Sequence, residues 1–227
     1  MNKFAVLFTS SIGRKIVMSL TGLFLCSFLI VHCGVNACLF VDDGGLTFNK
    51  AAHFMESNFI IRAVEYLLFA GFIVHILQSI TLTLQNRKAR GSDKYQVFKA
   101  NETSKWYSRN MGILGAILFF FLVVHLINFF IGLRFDEVYK YGVDANGNAN
   151  LYANAKDAFS YPLACIFYVI SMIALGFHLQ HGFSSSFQTL GVNHPYYTPM
   201  IKTIGYFFSV FIPAVFAAMP VYFMLKF

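Results

Sequence analysis

Apolar residues in this chain come in long unbroken runs, and the polar residues gather between the runs. Five runs stand out, at about 14–40, 58–85, 107–133, 158–186 and 200–225. Each passes the ~18 residues at which an apolar stretch reads as a membrane span. At about 1.5 Å per residue, each is long enough to cross a hydrocarbon core of ~30 Å. The pattern predicts an all-α integral membrane helix bundle with five transmembrane helices, forming a single domain over residues 1–227. The first run is too long for a cleavable signal, and no small-residue cleavage pattern ends it.

Composition agrees. Hydrophobic residues make up 57% of the chain and charged residues 12%, about half the charged share of a soluble domain. A water-soluble fold would have too few polar residues to coat its surface. Cys26, Cys33, Cys38 and Cys165 all lie inside apolar runs and form no Cys-x-x-Cys pair, so they read as small buried hydrophobes.

Charge sets the expected orientation. Lys3, Arg14 and Lys15 precede or open the first run. Arg87, Lys88, Arg90, Lys94, Lys99, Lys105 and Arg109 fill the connection between the second and third. The other two long connections carry Asp42, Asp43 and Glu56, and Asp136, Glu137, Asp144 and Asp157. The positive-inside rule places the N-terminus and the basic connection in the cytoplasm and, with five spans, the C-terminus outside. The net charge of +7 is therefore a topology signal and a docking surface for a cytoplasmic partner or anionic lipid, with no nucleic acid implied.

The chemistry lies in histidines. His53 and His194 sit in connections, whereas His32, His75, His125, His178 and His181 lie inside four of the five runs. Ionisable groups in a bilayer are rare and mark function. Depth sorts them. His32 is 18 residues past Arg14 and His125 is 16 past Arg109, ~27 and ~24 Å from the inner end. His75 is 12 residues before Arg87 and His178 ten before Gln188, ~18 and ~15 Å from it. An outer pair, His32 with His125, and an inner pair, His75 with His178, follow, roughly 10 Å apart along the normal.

Two stacked pairs in a helix bundle suit two b-type haems, each iron taking one imidazole from each of two helices. Zinc suits them poorly, because its sites add cysteine or carboxylate in one cluster. Gly71 and Gly182 lie four residues from His75 and His178, on the same helical faces, and either admit a flat macrocycle or allow close helix packing. Asn36 and Asn128, at i+4 and i+3 from the outer histidines, either orient a ring or bond between helices. His181 competes with His178; depth and glycine spacing favour His178.

The chain resembles the membrane cytochrome b subunit of succinate:quinone oxidoreductases (succinate dehydrogenase and fumarate reductase) in its five-helix, two-haem form. The resemblance rests on five spans with histidines on the first four, on "SLTGLFLCSFLIVH" from Ser19 to His32, and on "HLQHG" from His178 to Gly182. It implies two haem b groups, the proximal one on His75 and His178 and the distal one on His32 and His125. It implies that Ser19 bonds a proximal haem propionate, where the residue alone reads equally as a hydroxyl bonding its own helix backbone; Trp106 has a similar role or anchors the headgroup region, and His181, by its depth, either contacts a propionate or is solvated near the interface. The implied partners are a cytoplasmic iron–sulfur subunit and a flavoprotein carrying FAD, in a bacterial cytoplasmic membrane, with room for a dimer of complexes. The chain would be the electron-transfer and quinone-reactive subunit, with the succinate or fumarate site elsewhere. The quinone expected is menaquinone, near the distal haem, with Glu65 as its proton relay and Glu56 and His53 behind it; Glu65 alternatively pairs with Arg62. Some two-haem fumarate reductases carry a glutamate two residues before the fourth-helix ligand, where this chain has Gly176.

Two other readings stand beside this one. A di-haem cytochrome b of a hydrogenase or formate dehydrogenase shares the histidine logic with different partners. A haem-free transporter would use the membrane histidines for protons.

Overall fold

A computed structural model describes residues 10–90, 105–135 and 139–227. Lys3, Lys94, Lys99, Asp136 and Glu137, which the charge argument used, lie outside the described residues, as does the side chain of Arg90. The helices are α1 (Ser11–Ala37), α2 (Leu46–Ser57), α3 (Phe59–Arg90), α4 (Trp106–Arg109), α5 (Met111–Leu126), α6 (Gly132–Phe135), α7 (Leu151–Ala158), α8 (Pro162–Thr189) and α9 (Tyr197–Lys226). A 3₁₀ turn over Cys38–Phe40 extends α1, and a π-helical turn over Ile127–Ile131 joins α5 to α6. Among the described residues, five stretches are long and apolar enough to cross a membrane: Ser11–Phe40, Phe59–Ala89, Met111–Phe135, Pro162–Thr189 and Tyr197–Lys226.

The spans start where local chemistry allows. Ser10 caps α1 by accepting from the Gly13 N–H at 3.0 Å, which satisfies one of the donors a helix start leaves unpaired. Asn58 does the same for α3, its Oδ1 accepting from the N–H groups of Ile60 and Ile61. Pro162 opens α8 at its first position, where a missing N–H costs nothing.

Four of the spans form a square. α1 packs along α3 on one side and α8 on the other, α8 packs along α5, and α5 meets α3. Across the diagonals, α1 to α5 and α3 to α8, the backbones make almost no contact. The fifth span, α9, lies outside the square along α8, with an edge on α1. Gly176 and Gly205 make that α8–α9 contact close. A Cβ at Gly176 would sit 3.0 Å from the Ser209 carbonyl, and one at Gly205 would meet the Phe183 ring at 2.7 Å. Pro213 lies four residues after Ser209 and has no N–H to give that carbonyl. The freed oxygen rests against Gly176.

One end of the square is covered. The connection containing α2 and the connection containing α7 lock together there. Asn49 is 1% exposed; its Nδ2 donates to Asn150 Oδ1 at 3.2 Å and its Oδ1 accepts from the Tyr152 N–H at 2.9 Å. Gly45, at φ 89°, packs directly on Tyr152. Asn154, also buried, donates to the Asn128 carbonyl at 3.0 Å and to the Tyr139 hydroxyl at 2.8 Å; burial pushes that phenol up to about 12. Leu39, Phe48, Tyr152, Phe159, Tyr168 and Phe223 join the cover to the bundle in one apolar cluster. Asn49→Ala should therefore destabilise the protein by about 1–3 kcal/mol, because it leaves the buried Tyr152 N–H without an acceptor. Thermal unfolding in detergent, compared with an exposed control such as His53→Ala, measures it.

The two ends differ in charge. Among the described residues every Asp and Glu lies at the covered end: Asp42, Asp43, Glu56, Glu65, Asp144 and Asp157. The opposite end collects Arg14, Lys15, Arg87, Lys88, Lys105, Arg109 and Lys202.

Candidate functional site

The square's open diagonals are bridged by histidine. His32 of α1 meets His125 of α5 with ring centroids 5.8 Å apart and planes at 89°. His75 of α3 meets His178 of α8 at 6.4 Å and 66°. All four are half-buried, in the middle of the bundle rather than on its lipid face. Aromatic planes hold the outer rings: Phe28 stacks on His32 at 5.0 Å and Phe121 on His125 at 5.5 Å.

The two pairs occupy different levels. His75 lies against Thr21, eleven residues before His32 on α1. His125 lies against Tyr168, ten residues before His178 on α8. Both intervals correspond to ~15 Å along a helix axis, more than the ~10 Å that counting from the basic residues predicts. The outer pair lies under the covered end, and the π turn begins two residues after His125. That turn points the Asn128 carbonyl at Asn154 of the cover. Such single turns interrupt helices most often at functional sites.

The neighbours divide in ways that spacing alone left open. Asn36 turns back on its own helix, its Nδ2 3.3 Å from His32 Nδ1 and 2.8 Å from the His32 carbonyl. Asn128 bonds between helices instead, to the Tyr168 hydroxyl at 3.2 Å. At Gly71 a Cβ would come 3.2 Å from the Phe24 ring, so close helix packing accounts for this glycine. A Cβ at Gly182 would meet nothing within 4 Å. Gly22, which spacing did not single out, lies under the inner pair: its Cβ would stand 3.4 Å from His75 Cε1.

At the inner end, Ser19 is buried, His181 is half-buried and Trp106 is exposed. Trp106 and Tyr107 both pack on Phe177, the residue before His178, with centroids 5.7 and 6.2 Å away. His181 lies three residues beyond His178 on the same helix, towards the basic end.

At the covered end, Glu65 pairs with Arg134 and not with Arg62. Both Glu65 carboxylate oxygens accept from Arg134 Nη2 at 2.9 Å, and Arg134 Nη1 reaches Glu56 Oε1 at 3.4 Å. Arg62 turns to the Glu56 backbone carbonyl at 3.2 Å. Arg134 also lies over the Phe130 ring, 5.6 Å from its centroid. Glu56, Arg134 and Glu65 thus form one half-buried cluster of two anions and one cation. His53 stands apart on the exposed face of α2, one turn before Glu56. Arg134 escaped the sequence reading, though a lone arginine closing an apolar run that already holds a histidine is a visible signal.

Among the described residues no three or more His, Cys, Asp or Glu converge as a cage for an ion. The histidines come in twos, which is the donor set of a metal that brings its own equatorial ligands. Two imidazoles sharing one metal, at about 2 Å each, would hold their centroids about 6 Å apart. The separations of 5.8 and 6.4 Å bracket that value. The Nδ1 atoms of His125 and His178 are buried without a hydrogen-bond partner, so the chain alone does not fix which nitrogen of these rings carries the proton. The residues present therefore fit a haem at each level. No family model matches the chain, and neither a curated protein nor a solved structure matches it.

Proposed function

We propose that this chain is the di-haem b membrane subunit of a succinate:quinone oxidoreductase, passing electrons between a cytoplasmic iron–sulfur subunit and membrane quinone. The observation that carries the reading is the pair of histidine bridges, one across each diagonal of the square, at two levels. His75 and His178 would hold the inner haem, and His32 and His125 the outer. Held by two imidazoles, each haem would supply one-electron transfer. The first-span and fourth-span motifs favour the succinate:quinone family over the hydrogenase and formate dehydrogenase cytochromes. A proton transporter is disfavoured by the acids: Glu65 is the single carboxylate within a span among the described residues, and it is tied to Arg134.

Orientation follows from the charged ends. The end bearing Arg14, Lys15, Arg87, Lys88, Lys105 and Arg109 faces the cytoplasm and docks the iron–sulfur subunit, which itself contacts the FAD-bearing flavoprotein. The covered, acid-bearing end faces outward, beside the distal haem and the quinone, for which menaquinone is the expected species.

Purification in mild detergent tests this. The reading expects two b-type haems per chain in the dithionite-reduced spectrum, with an iron–sulfur protein and a flavoprotein in the same complex. Lysine cross-links from the iron–sulfur subunit should reach Lys88 and Lys105. Cross-links to Lys140 or Lys156 instead would invert the topology, and co-purification of a hydrogenase or molybdenum subunit would replace the family.

A further inference from the structure

The four histidines do not have equivalent surroundings. His75 alone has a hydroxyl at its ring: Thr21 Oγ1 lies 3.1 Å from His75 Nδ1. Thr21 carries one hydroxyl hydrogen, and its own helix takes it. Thr21 Oγ1 donates to the Val17 carbonyl at 2.8 Å, with the Met18 carbonyl at 3.1 Å as a shared acceptor. Bonding back to the preceding turn is the usual habit of a helical threonine. What Thr21 presents to His75 is therefore a lone pair, and only a protonated Nδ1 can use it.

We infer that Thr21 is the positioning residue for the inner haem. It holds His75 in the Nδ1–H tautomer, so that the Nε2 lone pair faces the iron. This rests on the haem reading above. Gly22 fits the same role, since a side chain there would press on His75 Cε1 at 3.4 Å. An acceptor on the far nitrogen makes the near nitrogen a stronger donor and favours the ferric over the ferrous state. At the other rings the chain supplies no such hydroxyl: Asn36 stands beside His32, and His125 and His178 have no partner at Nδ1. Thr21 thus lowers the potential of the inner haem specifically.

Redox titration of the purified complex, with both haems followed by absorbance, tests the inference in Thr21→Val and Thr21→Ser. Valine keeps the volume and removes the lone pair; serine keeps the lone pair and removes a methyl. Thr21→Val should keep two haems and raise the inner potential, by about 59 mV if the ferric preference falls tenfold. The outer potential should not move, and Thr21→Ser should stay at the wild-type value. Loss of the inner haem from Thr21→Val with retention in Thr21→Ser would support the same role. An unmoved inner potential in Thr21→Val, or an equal shift or equal haem loss in both variants, would overturn it by showing that packing, not the hydroxyl, matters. A wild-type complex without b haem would defeat the functional reading itself, and is recognisable before any variant is made.

Discussion

His178→Ala should lower the haem content of the purified complex from two per chain to one, with the inner haem lost and the outer retained. His75→Ala should do the same. His32→Ala and His125→Ala should each remove the outer haem and spare the inner. The reason is geometric. Each pair spans a diagonal along which the helices themselves hardly touch, so no neighbouring imidazole stands ready to replace a missing one. The levels are ~15 Å apart along the helices, too far for an outer histidine to serve the inner site. His181 is the exception to test. It lies one turn from His178, and retention of both haems in His178→Ala together with loss of one in His181→Ala would move the fourth-helix ligand to His181. Loss of the inner haem should also weaken assembly with the iron–sulfur subunit, since a bridge between α3 and α8 close to the basic end disappears. Haem content by pyridine haemochrome and subunit ratio on a gel are the two measurements.

The five spans were legible because a bilayer leaves a helix little choice. Every backbone polar group must be satisfied within the segment, so apolar length alone announces each one. The errors sit at the ends, where that logic stops. The second span continues through Gln85, Asn86 and Arg87 to Arg90, past the apolar run, because glutamine, lysine and arginine are good helix formers in water. The fourth begins at Pro162 rather than 158, because Ala158 finishes the preceding short helix. Helices α2 and α7 were not foreseen. Each is short and polar, and each is held by the other through Asn49, Asn150 and Tyr152, some hundred residues apart in sequence. The π turn after His125 is a change of backbone register that no side-chain period encodes. Thr21 was invisible for a different reason: a threonine in an apolar helix usually bonds its own backbone, and only the approach of α3 shows that its second lone pair has a use. Counting from Arg14, Arg87, Arg109 and Gln188 ordered the two histidine levels, but put them ~10 Å apart where the helix intervals give ~15 Å.

The last expected result concerns protons. Quinone reduction takes up two protons with two electrons, and quinol oxidation releases them, so on the proposed function a group near the outer haem would exchange them with the outer aqueous phase. Glu65 lies ten residues before His75 on α3, ~15 Å outward, at about the level of His32 and His125. Its salt bridge to Arg134 does not disqualify it, because Arg134 faces two carboxylates. When Glu65 takes a proton and releases the guanidinium, Glu56 at 3.4 Å still neutralises it, so the half-buried cation is never left alone, a state that would be costly. Glu56 and Glu65 thereby share one countercharge. Glu65→Gln should leave both haems and succinate oxidation by an artificial acceptor at the flavin intact, yet slow turnover with menaquinone analogues by ~10²-fold or more. Glu56→Gln should slow the same step while sparing both haems, because Arg134 would then have no second anion when Glu65 is protonated. Gly176 offers no substitute route: the Ser209 carbonyl, 3.0 Å from where its Cβ would be, occupies the place of a side chain. Unchanged quinone turnover in Glu65→Gln would remove Glu65 from the mechanism and move the search to Glu56 and His53. Loss of a haem in that variant would show instead that the Glu56–Arg134–Glu65 cluster holds α3 against the end of the third span, and that its role is structural.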